Sequence, residues 1–190
     1  MSDERVSQLP EGLWSAPEAD TSAVPELSDV EAVLRVRIPA RLDYRYTAGE
    51  ATSRSLLGMA EKRIIGEKCP KFGYVFVPPR GASPNSGLPT TEQVDLPHVG
   101  TVTTFCVVNV EFTGQGLEVP YVSANILIDG SHVTTFGLIL EIPPHDVRLG
   151  LRVEAVWKDD AELEASFENI KWWRPTGEPD ADYESYREYA

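Results

Sequence analysis

The sequence predicts a mainly β protein with one N-terminal helix, and three observations lead there. A single stretch, residues 47–65, carries a persuasive helical pattern. After Gly81 the chain changes to β-branched and aromatic runs separated by turns. Only Cys69 and Cys106 are present, so no disulfide framework stands in for a hydrophobic core.

Residues 1–46 read as an acidic N-terminal extension and lead-in. Within them, residues 1–31 hold eight acidic side chains against one Arg, and Leu13 and Trp14 are the only sizeable apolar pair. Such a stretch buries too little surface to offset its ordering entropy, so it is expected to be disordered or to order only on a partner. The helix over 47–65 opens on Thr47 and Glu50, the spacing of a capping box. Leu56, Leu57, Met59 and Ala60 supply its apolar side, Arg54, Lys62 and Arg63 decorate the rest, and Gly66 ends the run.

Residues 66–92 carry the most informative segment, GEKCPKFGYVFVPPRGASPNSG at 66–87. A zinc ribbon sets two Cys-x-x-Cys knuckles on facing, Gly-assisted bends, because four thiolates must converge tetrahedrally. Here the frame persists as Cys69-Pro70-Lys71-Phe72-Gly73 and Ser83-Pro84-Asn85-Ser86-Gly87, with Phe72, Ser83 and Ser86 at three of the four ligand positions. One thiolate does not replace four, so the expectation is a degenerate, rubredoxin-like (zinc-ribbon) segment without zinc. Phe72, Tyr74, Phe76 and Val77 are candidates to pack where the knuckles meet.

Residues 93–175 contain five strand-like runs, at 101–112, 119–129, 132–140, 151–158 and 167–173, with Asp129-Gly130 as a tight hairpin between the second and third. A few antiparallel strands with a gap at 141–150 fit a small barrel, and an OB-fold barrel is the leading candidate. Residues 176–190 form an acidic C-terminal tail in which Tyr183, Tyr186 and Tyr189 recur every third residue. It is either a solvated tail or a docking peptide with three rings along one side of a short helix.

Catalytic patterns are scarce. His98, His132 and His145 fall in no metal-binding spacing, and neither a G-x-S-x-G elbow nor a phosphate-binding GxxxxGK[ST] loop occurs. Cys106, in the apolar run TFCVVNV, reads as inert core, and His98 as a loop residue. Asp159, Asp160, Glu162 and Glu164 form an acidic loop that either binds a hard cation or is a solvated turn. No catalytic residue, metal site or bound cofactor is therefore assigned to this chain alone.

The order of helix, degenerate ribbon and barrel resembles the zinc-ribbon plus OB-fold family of acyl-CoA-associated proteins, domain of unknown function 35. The resemblance runs from about residue 48 to 174. It is carried by RIIGEKCPKFGYVFVPPRGASPNSG (63–87), GTVTTFCVV (100–108), PYVSANILIDG (120–130) and DVRLGLRVEAVW (146–157). It implies a non-catalytic companion subunit of a thiolase, a lipid-transfer-type thiolase or a related condensing or retro-aldol enzyme. In relatives of this kind the helix and ribbon contact the thiolase-like protein, and steroid side-chain or lipid degradation is a frequent setting. Acyl-CoA is then a possible shared ligand and a hetero-oligomer the expected assembly.

Charge is distributed accordingly. The chain carries a net charge of −13, but residues 35–80 are net +6 and residues 81–175 net −8. Arg41, Arg45, Arg54, Lys62, Arg63 and Arg80 are candidates to meet carboxylates of a partner or the phosphates of coenzyme A; the alternative is a solubilising surface. A stand-alone acyl-CoA binding protein is a second possibility. A third, single-stranded nucleic-acid binding, fits poorly with an acidic barrel that repels phosphate. No run reaches the roughly 18 apolar residues of a membrane helix, and the acidic N-terminus is unlike a secretory signal, so the expected location is the cytoplasm.

Overall fold

The computed structural model describes residues 45–110 and 116–190. The readings made for residues 1–31, for Leu13 and Trp14, and for Arg41 lie outside the described residues, as do the last two positions of the expected strand 101–112.

Helix α1 covers Gly49–Ala60, shorter at both ends than expected. The capping box does not form: Ala48 occupies the N-cap without a side-chain hydrogen bond, and Glu50 pairs with Arg54 one turn on. At the far end Lys62 adopts a left-handed φ of 55°, and the Arg63 N–H donates back to the Gly58 carbonyl at 2.8 Å. The chain therefore leaves the helix before Gly66. Ile64 and Ile65 are then both buried as the start of strand β1 (Ile64–Lys68), which is covered on two sides. β-branched residues suit that setting better than a helix end. Gly58 lets the two elements touch, since a Cβ there would lie 2.5 Å from Ile65 Cδ1.

Strand β1 is the centre of a three-stranded antiparallel sheet with β2 (Val75–Phe76) and β3 (Glu92–Leu96), paired Glu67↔Phe76 and Ile64↔Leu96. β3 is not evident in the sequence, because EQVDL is mostly exposed and polar.

The rest is a closed five-stranded barrel of β4 (Val99–Val108), β5 (Tyr121–Ile128), β6 (Thr134–Ile139), β7 (Arg152–Trp157) and β8 (Ile170–Pro175), ordered β4-β5-β6-β8-β7. β4 closes on β7 through Val99↔Glu154. The mainly β, OB-type fold class expected from the strand runs is thus the observed one. At the Asp129-Gly130 hairpin Gly130 takes a φ of 82°, and the Ser131 N–H donates to the Ile128 carbonyl. The barrel interior holds Val102, Val122, Ile126, Val153 and Trp173. Each such side chain contributes about 1.5–3 kcal/mol on burial.

The C-terminal residues lie against their own barrel. Arg148 holds Asp180 bidentately, the Ala181 N–H donates to the Gly150 carbonyl, and Tyr186 is only 5% exposed. Two short 3-10 turns, Tyr183–Ser185 and Arg187–Tyr189, replace the short helix read from the tyrosine spacing.

Candidate functional site

The two bends of residues 69–73 and 83–87 repeat one hydrogen-bond pattern. Cys69 N–H donates to Tyr74 O as Ser83 N–H does to Leu88 O, and Gly73 N–H donates to Cys69 O as Gly87 N–H does to Ser83 O. Both glycines sit at positive φ, 74° and 69°, where a side chain would be strained. The bends face each other: Cys69 Sγ lies 3.6 Å from Ser86 Oγ. Cys69 and Ser83 are both buried, and Ser83 Oγ makes no hydrogen bond of ordinary geometry although it borders the sulfur. Burial pushes the Cys69 thiol up, but the Ser83 hydroxyl, the Phe72 N–H, Ser86 and the Lys71 N–H outweigh it and bring the thiol down to about 7. Polar groups close around the sulfur favour its thiolate.

The expected aromatic filling is only partly present. Phe76 is buried, but Phe72 and Tyr74 are 45% and 40% exposed and stack on each other at 5.8 Å on the surface. The space between the bends is closed by small polar groups instead.

Beside the bends sits a buried carboxylate that sequence reasoning missed. Glu67, on β1, is fully buried; it accepts from Thr90 Oγ1 at 2.8 Å and the Gly81 N–H at 3.0 Å, and it pairs with Arg54 of α1. Burial pushes this carboxyl up, yet Arg54, Thr90 and Gly81 together hold it below its ordinary value. The cluster ties helix, strand and loop into one unit. Its only sequence signal is a Glu among the apolar residues of RIIGEKC, which alternation alone does not single out.

The basic candidates divide into groups. Arg54 belongs to the buried cluster, Arg63 pairs with Asp95 and Glu61, and Lys62 pairs with Asp160 of the acidic loop. Arg80 lies 5.5 Å over the Phe76 ring and Lys71 5.1 Å over Phe72, while Arg45 is exposed. Arg41 is outside the described residues. Among the described residues, Arg54, Lys62 and Arg63 are thus each paired with a carboxylate of this same chain.

The remaining candidates do not converge. Cys106 is exposed, contrary to the core reading: it lies beyond Thr101, the last β4 residue paired with β7, and is paired with Ser123 of β5 on one side only. His98 packs on Trp157 at 4.9 Å, and burial lowers its pKa. His132 Nδ1 accepts the Val75 N–H, and His145 is exposed beside Asp146. Among the described residues no three His, Cys, Asp or Glu side chains come together to hold a metal ion.

Comparison with known proteins completes this geometry. A family model described as "ChsH2, C-terminal OB-fold domain" matches residues 93–158. A DUF35 domain-containing scaffold protein of Methanocaldococcus jannaschii is 36% identical over 97 residues, covering 50% of this chain and 67% of the relative. The chain belongs to the DUF35 family. Two solved structures share the fold of this DUF35 protein. One, the Ltp2-ChsH2(DUF35) aldolase, has a TM-score of 0.52 at 20% identity, over 69% of this chain and 98% of that one. The other, a DUF35 protein of unknown function from Sulfolobus solfataricus, has a TM-score of 0.50 at 19% identity, over 67% and 84%.

The zinc ion that this DUF35 resemblance implies does not fit the residues at the two bends. Structural zinc takes four thiolate or imidazole ligands. Cys69, Phe72, Ser83 and Ser86 offer one thiol, two hydroxyls and a phenyl ring.

Proposed function

We propose that this DUF35 protein is a non-catalytic partner subunit of a thiolase-like enzyme acting on acyl-CoA, in steroid side-chain or lipid degradation. The observation that carries the reading is family membership: one relative is described as a scaffold protein, and a neighbour in fold is described within an aldolase of two named components. The scattered histidines and cysteines support it, since no nucleophile, base and orienting group stand together among the described residues. The partner supplies the reacting groups.

Exposed apolar side chains support a surface that another chain covers. Leu57 of α1 and Phe136 of β6 are 61% and 73% exposed. Arg45 and Arg80, and the surface pairs of Arg63 and Lys62, are the charges available to exchange onto partner carboxylates or CoA phosphates. Arg54 is occupied within the fold. The two bends act as a metal-free ribbon that holds α1 in place for docking.

Co-expression with thiolase-like proteins, followed by native mass measurement, tests this reading. A defined hetero-oligomer is expected, weakened by Arg80→Glu with Arg63→Glu. A chain that remains alone with every thiolase-like candidate contradicts it. A stand-alone acyl-CoA carrier is the other reading, and it requires binding of acyl-CoA without a partner.

A further inference from the structure

The barrel is closed unevenly. β6 pairs with β5 at six residues and β7 with β8 at five, but β6 and β8 meet only at Ile139↔Trp173. Below that contact the two strands part, and a cavity of about 300 Å³ occupies the seam between residues 135–138 of β6 and 170–173 of β8. Met59 of α1 and Val77 border it. Gly137 makes the seam possible: a Cβ there would lie 2.6 Å from Trp173 Cδ1, so only glycine lets the indole lie against β6. A cleft of this size, mostly apolar and lined by aromatic rings, has the character of a small-ligand site.

Charge at the seam narrows the ligand. Of the side chains lining it, Lys171 is the only ionisable one; the others are apolar apart from the hydroxyls of Ser55 and Thr135, the indole N–H of Trp173 and that of Trp172, which donates to the Glu141 carboxylate at 2.8 Å. Its ammonium lies 4.7 Å over the Trp172 ring and enters no ion pair among the described residues. Phe136, on the same lining, is exposed. An aliphatic chain entering the cleft gains about 0.8 kcal/mol per methylene removed from water, and a single negative charge at its end would meet Lys171. One ammonium matches one carboxylate; a diphosphate would call for more cations than the lining offers.

The geometry points to a binding site for the hydrocarbon chain of a fatty acid, with its carboxylate at Lys171 and its tail along Trp173 and Gly137. This goes beyond the partner-subunit reading and does not depend on it, since the seam belongs to this chain alone.

Titration of the full-length protein, without a partner, tests the assignment through calorimetry and tryptophan fluorescence, because Trp172 and Trp173 line the cleft. Decanoate is expected to bind about tenfold or more tightly than butyrate and about fivefold more tightly than decanol. Lys171→Glu, a change at an exposed position, is expected to weaken decanoate about fivefold and leave decanol unchanged. Affinity independent of chain length overturns the cleft as the tail's site. Equal binding of decanol and decanoate, with Lys171→Glu silent, overturns the role of Lys171. Binding of decanoyl-CoA with none of decanoate overturns the fatty acid as ligand. Each result is read without a thiolase-like protein, so it leaves the partner reading to its own test.

Discussion

Cys69 Sγ and Ser86 Oγ stand 3.6 Å apart, the first position of one Gly-ended bend against the last ligand position of the other. A thiol–hydroxyl contact thus lies where the frame of a ribbon would set two zinc thiolates. The account predicts that purified protein carries far less than one zinc per chain and that chelators leave its melting temperature unchanged. Phe72→Cys, Ser83→Cys and Ser86→Cys together should create a four-thiolate site that takes up one zinc per chain. Tightly held stoichiometric zinc in the unaltered protein would contradict the metal-free ribbon.

Cys69 also sets a pH dependence. Its thiol is lowered to about 7 in the fold, below the ordinary value near 8.5 that the unfolded chain restores. The stabilisation is therefore fully present above the ordinary value and lost as pH falls through about 7. Melting temperature should rise between pH 6.5 and 8.5 more steeply in the natural protein than in Cys69→Ser. Superimposable profiles would remove the thiolate from the account.

The Glu67 cluster makes the opposite end of the pH range informative. A carboxyl held below its ordinary value adds stability that is present at neutral pH and disappears as pH drops through its folded value. Glu67→Ala leaves Arg54 without its buried partner and should cost on the order of 3 kcal/mol in urea unfolding at pH 7. The difference from the unaltered protein should shrink as the pH falls below about 4. A cost under half a kcal/mol at pH 7 would deny the cluster its structural role.

Asn169 links the barrel to the helix. Fully buried, it donates to the Met59 carbonyl at 2.9 Å and to the Glu164 carbonyl at 2.6 Å. Asn169→Ala strands both carbonyls and should destabilise by about 2 kcal/mol, with faster amide exchange at the end of α1. Unchanged exchange there would show that the helix is held by other contacts.

The barrel was legible in the sequence because its strands are β-branched runs of ordinary length, and Asp129-Gly130 marks its hairpin. The helix end was not. Residues 61–65 continue a helical pattern, and only burial of Ile64 and Ile65 in the sheet diverts them. Cys106 misled for a similar reason: an apolar neighbourhood in sequence does not reveal that β4 loses its β7 neighbour after Thr101. The bends at 69–73 and 83–87 were readable from Cys-Pro and paired glycines, whereas Glu67 and the β6–β8 seam arise from tertiary pairing with no local signature. The tail showed its tyrosine spacing but not that Tyr186 would fold onto its own chain.

Reconstitution of enzyme activity tests the central claim most directly. A thiolase-like protein that co-purifies with this chain is assayed on acyl-CoA alone and with increasing amounts of it. The account predicts activity that climbs and levels off at a fixed stoichiometric ratio, with none from this chain by itself. Turnover by the isolated chain, or turnover of the enzyme indifferent to its presence, would contradict the account.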